Sequence, residues 1–197
     1  MKTAKRPTYS FLILVIGLIL INTLLAWLSL KISQFISPSL PASVSMVYIA
    51  VAFMLIFTLW FGMYGAIAAY VGTFIGTGLL SGMPVTTALY FSLSGLWQVL
   101  IPLITFRIFD VHVDMESRRD LFHLILFGTI INNLIGAAWG SVTLAIGGIN
   151  VWSQVPSTFL LWFIGNVIAT IIIVPLVLRH FTPRVEKSKV FVKNYWY

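Results

Sequence analysis

Residues 121–178 read LFHLILFGTIINNLIGAAWGSVTLAIGGINVWSQVPSTFLLWFIGNVIATIIIVPLVL, and this stretch contains no lysine, arginine, aspartate or glutamate. Residues 7–30 and 32–106 also lack these side chains. Because one charged side chain at the centre of a bilayer costs about 2.5–3.5 kcal/mol, neutral runs of this length indicate segments that lie in hydrocarbon. The sequence therefore predicts a polytopic membrane protein.

The composition is also typical of a membrane protein. Hydrophobic residues make up 59% of the chain and charged residues 9%, and the mean hydropathy is +1.01, all far from the averages of soluble domains. We expect one membrane domain over residues 1–197. The chain has no cysteine, which excludes disulfides, thiolate metal sites and cysteine nucleophiles.

Turn residues divide the neutral runs into helices of a length that suits a bilayer. A helix of about 20 residues crosses the hydrocarbon core, so longer runs must reverse direction. We place reversals at residues 31–43, 62–65, 81–84 and 147–156, and the charged segment 107–120 supplies another. The prediction is an all-α bundle of six transmembrane helices at residues 11–30, 44–61, 66–80, 85–106, 121–146 and 157–178. The first run follows Lys2, Lys5 and Arg6, as in a signal peptide, but its length favours a retained spanning helix.

The basic residues predict the orientation of this bundle. In the six-helix arrangement, 11 of the 12 lysine and arginine residues fall on one face, and Lys31 alone falls on the other. Because such residues remain on the cytoplasmic side in short loops, we expect both termini in the cytoplasm, a basic and aromatic tail at residues 179–197, and a location in the cell membrane. The net charge of +7 then reflects topology and anionic lipid, with no nucleic acid as a partner. Several aromatic residues near predicted helix ends are expected to anchor the protein at the headgroups, namely Tyr48, Trp60, Tyr64, Tyr90 and Trp152.

The predicted spans offer little acid–base chemistry. They contain no carboxylate, lysine or arginine, which argues against a pump driven by protons or cations. His112, His123 and His180 lack the spacing of a ligand set, so we expect no metal and no cofactor. The acidic residues at 110–120 alternate with arginines and are typical of a solvated connector, or of a docking surface for a cytoplasmic protein. The sequence thus predicts a protein that is not an enzyme.

Five amide side chains enter the membrane at similar depth. They lie about 10–13 residues into their predicted helices. Because each residue adds about 1.5 Å to the length of a helix, we expect these amides near the midplane of the bilayer. Such amides either tie helices together or line a cavity for a neutral or zwitterionic solute. They are Asn22, Gln98, Asn132, Asn133 and Asn166.

Tryptophans share helix faces with some of these amides. Asn132 and Trp139 are seven residues apart on the fifth helix, and Trp162 and Asn166 are four apart on the sixth, so each pair lies on one face. This pattern predicts a stacking and hydrogen-bonding pocket for a small molecule, although bundle packing explains it about as well. The candidate substrate-binding residues are Gln98, Asn132, Trp139, Trp152, Trp162 and Asn166.

Small residues recur at a four-residue spacing on the third helix. Gly65 and Ala69 form one such pair, and Gly72 and Gly76 form another. This pattern lets helix backbones approach closely, either within the chain or against a partner protein. We consider these four residues candidates for partner docking.

The chain combines about 200 residues and six predicted helices with a Phe61-Gly62-x-x-Gly65-Ala66 reversal, and its last helix carries Gly165-Asn166 and Pro175. In these features the whole chain resembles the substrate-binding S components of energy-coupling factor vitamin transporters. The resemblance implies a vitamin-like solute bound near Trp139, Trp152, Trp162 and Asn166. It also implies a coupling membrane protein and cytoplasmic ATPases as partners on separate chains.

The chain is also similar to the MASE family of membrane sensor domains. That resemblance rests on Trp162-Phe163-Ile164-Gly165-Asn166, Ala138-Trp139-Gly140 and Gly147-Gly148, and it implies a ligand sensor that signals through a separate protein. An accessory subunit of a larger membrane complex is a third possibility. We favour a binding subunit of an ATP-driven uptake transporter.

Overall fold

The computed structural model describes residues 9–38 and 45–192, and all secondary structure within these ranges is helical. The helical structure confirms the predicted all-α class, and five of the six described helices are long and apolar enough to cross a membrane. Lys2, Lys5, Arg6 and residues 193–197 lie outside the described residues. The helices are α1 (Tyr9–Ile36), α2 (Ile49–Phe61), α3 (Met63–Ser81), α4 (Val85–Ile108), α5 (Arg118–Ile146) and α6 (Trp152–Val185).

The second helix is shorter than predicted. It begins at Ile49 instead of residue 44 and has 13 residues, about 20 Å of helix against a hydrocarbon core of about 30 Å. Ten of its residues are buried, so the surrounding helices enclose it. A helix enclosed in this way does not have to match the thickness of the bilayer.

The sixth helix is longer than predicted at both ends. Residues 152–156, expected in a loop, form its first turns, and Pro156 lies in the first α-helical turn, where its missing N–H has no helical partner to lose. Residues 179–185, expected in the tail, continue the same helix. The preceding loop is therefore reduced to residues 147–151.

Contacts between helices show that neighbouring segments alternate in direction. A side chain added at Gly72 would meet Asn22 at 2.6 Å, and one at Gly76 would meet Ala26 at 2.8 Å, so α1 and α3 run parallel. Gly62, with a φ of 59°, reverses the chain between α2 and α3, a backbone angle that glycine adopts without strain. The same alternation continues through α4, α5 and α6.

The alternation separates two ends of the bundle. The basic end comprises the start of α1, the α2–α3 reversal, the α4–α5 connection and the end of α6. The loop end comprises the described residues 37–38 and 45–48 together with residues 82–84 and 147–151. Within the described chain, Lys31 is near the loop end, and the other lysines and arginines are at or near the basic end, namely Arg107, Arg118, Arg119, Arg179, Arg184, Lys187 and Lys189.

The interior differs between these two ends. Near the basic end it is an apolar cluster with members such as Leu55, Leu59, Phe106 and Leu178, each 0% exposed. The connection between α4 and α5 contributes Val111, Val113 and Met115 to this cluster, and Val192 donates its N–H to the carbonyl of Trp60. Near the loop end the interior contains hydroxyl, amide and indole groups. Most buried polar side chains therefore lie at the midplane or nearer the loop end, and Thr58, Asp120 and Thr182 are exceptions near the basic end.

Candidate solute-binding chamber

A small cavity, here called the chamber, lies near the loop end between α1, α3, α4, α6 and the residues that precede α2. Its volume is about 20 Å³, enough for about one water-sized group. Among the described residues, no lysine, arginine, aspartate or glutamate lines it. Its lining residues are Leu30, Ser45, Tyr48, Thr73, Thr77, Phe91, Ser94, Gly95, Gln98 and Trp162.

Hydroxyl groups close the chamber toward the loop end. The phenol of Tyr48 and the hydroxyl of Thr77 are hydrogen-bonded at 2.9 Å, and those of Ser33 and Ser45 at 2.8 Å. Thr77 belongs to a π-helical segment of α3, Phe74–Gly78, and such segments are frequent at functional sites because they redirect side chains. The loop before α2 is thereby fastened to α1 and α3 above the chamber.

Two polar atoms of the chamber residues have no hydrogen-bond partner among residues 9–38 and 45–192. They are the hydroxyl oxygen of Ser94 and the indole nitrogen of Trp162, and the two side chains are 1% and 8% exposed. A buried polar group without a partner costs about 1–3 kcal/mol. These two groups can therefore gain more from a ligand than the other hydroxyls of the chamber, which already have partners.

Below the chamber, three of the five midplane amides meet in one network. Gln98 donates from Nε2 to Oδ1 of Asn133 at 2.8 Å, and Asn133 donates from Nδ2 to the hydroxyl of Thr170 at 3.1 Å. Asn132 donates to the backbone carbonyl of Gln98 at 3.2 Å. This network ties α4, α5 and α6 together and fixes the floor of the chamber. Asn22 is buried outside it, and its amide has no partner within the protein.

Two glycines of α5 make room for the chamber residues. A Cβ added at Gly136 would overlap the side chain of Gln98, and one added at Gly140 would overlap the ring of Trp162. The spacing of four residues places both glycines on one face of the helix. Neither glycine was assigned a role from the sequence, although their spacing was visible there.

The structure separates the predicted substrate-binding residues. Gln98 and Trp162 line the chamber, and Asn132 contacts Gln98 beneath it. Asn166 is buried one turn beyond Trp162, and neither atom of its amide has a partner within the protein. Trp152 begins α6 and is 63% exposed, so it does not contribute to the chamber.

Trp139 lies in a different depression. It lines an outward-facing, mainly apolar groove between α4 and α5, of about 690 Å³, and its indole nitrogen donates to the carbonyl of Tyr90 at 2.8 Å. The chamber and the groove have no lining residue in common. The expected single pocket holding both Trp139 and Trp162 is therefore not present in this conformation.

Sequence reasoning missed several chamber residues. Tyr48, expected at the membrane surface, is 6% exposed and faces the interior, and Trp60, expected there too, is 7% exposed. Thr73 and Thr77 were not identified either, and Thr77 lies in the π-helical segment that shifts the register of α3. Ser94 is one helical turn from Gln98, a spacing that the sequence shows, although Ser94 was not among the predicted binding residues.

The small residues of α3 pack inside the chain. Gly65 lies against the backbone of Phe57 in α2, and Gly72 and Gly76 lie against α1, while Ala69 is fully buried. A partner protein could reach these four residues only if α1 or α2 moved away. Docking on this stripe stays a prediction that requires such a movement.

Other polar groups gather at the basic end. A groove of about 620 Å³ is lined by His112, Asp114, Glu186 and Lys187 among others, so it contains charges of both signs. Within residues 9–38 and 45–192, no three histidine, aspartate or glutamate side chains are grouped to hold a metal ion. Comparisons with protein-family models, with curated proteins and with solved structures find no match to this chain.

Proposed function

We propose that this chain is a membrane-embedded binding subunit for a small solute and that the chamber is its binding site. The observation that carries the proposal is that two residues lining the chamber have buried polar atoms without a partner among the described residues, Ser94 Oγ and Trp162 Nε1. A buried polar group without a partner is costly, and a ligand can supply the missing partner.

The polarity of the interior supports a site that opens toward the loop end. Between the chamber and the basic end lie the amide network and the apolar cluster around Leu55, Phe106 and Leu178. A solute in the chamber is therefore far better sealed from the basic end than from the loop end. The loop above the chamber is held by side-chain hydrogen bonds such as Tyr48–Thr77, which can open at modest cost.

The distribution of lysine and arginine supports a matching orientation. If the basic end faces the cytoplasm, as the positive-inside tendency predicts, both termini are cytoplasmic and the chamber opens to the outside of the cell membrane. This arrangement suits a protein that captures a solute before uptake. Because residues 32–106 and 121–178 contain no acidic or basic group other than histidine, a separate ATP-driven partner is the energy source that we propose, with a coupling membrane protein and cytoplasmic ATPases.

The first experiment is to purify the tagged protein from its native membrane in mild detergent and to identify co-purifying small molecules and proteins by mass spectrometry. Gly95→Ala adds a methyl group to the chamber wall, where it would meet Thr73 Oγ1 at 2.7 Å and Met54 Cε at 2.8 Å. Gly17→Ala is the matched control, because a side chain there would have open space around it.

We expect a small molecule that is retained by the wild type and Gly17→Ala and reduced several-fold in Gly95→Ala. Equal retention in all three proteins would contradict a site in the chamber. Thermal unfolding of each variant shows whether Gly95→Ala loses the solute because the added methyl group fills the chamber or because the substitution damages the fold. Recovery of two ATPases and a coupling membrane protein would support uptake, whereas a kinase or cyclase would favour a sensor and an unrelated membrane complex would favour an accessory subunit.

A further inference from the structure

Resting on the proposed function, we infer that the chamber takes an uncharged ligand and recognises one small hydrogen-bond-accepting group of it, such as an amide or ketone carbonyl oxygen, through Trp162 and Ser94. This narrows the sequence-based expectation, which left a zwitterionic solute open. The inference follows from the chemistry of the two unpartnered groups, from the absence of charge around them and from the size of the chamber.

The unpartnered groups define what the ligand must present. The indole nitrogen of Trp162 is a donor only, and the hydroxyl of Ser94 can donate or accept. The other hydroxyls are engaged, since Tyr48 is bonded to Thr77 and Ser45 to Ser33. A ligand therefore needs at least one acceptor atom, directed at Trp162.

The lack of charged side chains among the described residues around the chamber excludes an ionic ligand group at this position. No charged side chain lines it, and Lys31, which follows the lining residue Leu30, is exposed on the surface of α1. A carboxylate or ammonium group buried without a counter-charge pays a desolvation penalty that a few hydrogen bonds do not offset. A neutral group avoids this penalty.

The dimensions of the chamber limit the size of the inserted group. A volume of about 20 Å³ admits about one water-sized group, and a carbonyl oxygen meets that limit. The ring of Phe91 packs against Trp162 with their centroids 5.4 Å apart, which provides an apolar wall beside the donor. The rest of the ligand extends toward the loop end, where the Tyr48–Thr77 and Ser33–Ser45 bonds must yield.

Three probes of the same shape test the role of charge: benzamide is neutral, benzoate is anionic and benzamidine is cationic at pH 7.5. The full-length protein, labelled with ¹⁵N-tryptophan in detergent, gives indole N–H resonances from its seven tryptophans, and Trp162→Phe identifies that of Trp162 by its loss. We expect benzamide to shift this resonance saturably, in the direction of a formed hydrogen bond, while the charged probes leave it in place.

Two serines of α4 provide a matched pair for the second group. Ser94→Ala should weaken benzamide binding about tenfold, the upper range for one hydrogen bond. Ser92→Ala should not change it, because the hydroxyl of Ser92 is buried but already donates to the carbonyl of Leu89 at 2.9 Å. Equal effects of the two substitutions would overturn the role of Ser94.

The remaining outcomes distinguish the inference from the proposed function. A saturable shift with benzoate or benzamidine equal to that with benzamide overturns the neutral ligand class and leaves solute binding intact. If no probe shifts Trp162 while Gly95→Ala still loses the co-purified solute, recognition through Trp162 is wrong and the proposed function stands. If no probe shifts Trp162 and Gly95→Ala retains the solute as the wild type does, both fail.

Discussion

The indole nitrogen of Trp60 donates a hydrogen bond to the hydroxyl of Thr182 at 3.0 Å, and this bond joins the end of the short helix α2 to the end of the long helix α6. Thr182 in turn donates to the backbone carbonyl of Val113 at 3.3 Å. Trp60 and Thr182 are both buried. One hydroxyl group at the basic end therefore connects three segments that are distant in sequence.

Thr182→Val tests this connection, because valine keeps the shape of threonine and removes the hydroxyl. The indole nitrogen of Trp60 would then be buried without a partner, and we expect the free energy of unfolding to fall by about 1–3 kcal/mol. Denaturant unfolding in detergent measures the change. Thr105→Val is the control, since that hydroxyl bonds only to carbonyls of its own helix, and a loss as large there would contradict the special role of Thr182.

Gly140→Ala tests the fit between α5 and the chamber. The added Cβ would overlap the ring of Trp162, so either the ring or the helix must move. We expect a loss of stability of about 1–3 kcal/mol, as for other overpacked interiors, together with a shift in tryptophan fluorescence. Gly17→Ala, whose side chain has open space, should be neutral or slightly stabilising because alanine favours the helix. Equal stability of the two variants would contradict the close packing.

The absence of cysteine makes the proposed orientation straightforward to test. Ser153→Cys lies at the loop end and Ser188→Cys at the basic end, and both native side chains are exposed. In intact cells, a membrane-impermeant maleimide should label the cysteine at 153 and should label that at 188 only after lysis. The reverse pattern would place the basic end outside and would remove the argument for a chamber that opens outward.

The membrane helices could be predicted from the sequence because a charged side chain is costly in hydrocarbon. Residues 32–106 and 121–178 contain no lysine, arginine, aspartate or glutamate, and this indicates that they lie in the bilayer. Helix boundaries were less predictable. Pro156 was interpreted as part of a loop, although proline also suits the first turn of a helix. The length of α2 could not be derived from hydropathy, because an enclosed helix and a spanning helix are equally apolar.

The chamber was only partly predictable, because residues distant in sequence form it. Gln98 and Trp162 were identified through the expectation that polar and aromatic groups at midplane depth face inward. Thr77 was not, since the π-helical segment Phe74–Gly78 breaks the periodicity from which a face is assigned. Trp139 and Trp162 had equivalent sequence contexts, and only the packing of α4 against α5 separates them.

Trp139→Phe and Trp162→Phe therefore form a decisive pair. Trp139 lines the outer groove, and its indole donates to Tyr90, so its replacement should leave the co-purified solute unchanged. Trp162→Phe keeps an aromatic ring against Phe91 but removes the unpartnered donor, and we expect solute retention to fall about three- to tenfold, the range for one lost hydrogen bond. Mass spectrometry of extracts from equal amounts of the two purified variants measures the difference. Loss of solute in Trp139→Phe with retention in Trp162→Phe would contradict a site in the chamber and would place it in the groove. The expected solute would then be an apolar ligand bound between α4 and α5 instead of a neutral carbonyl compound.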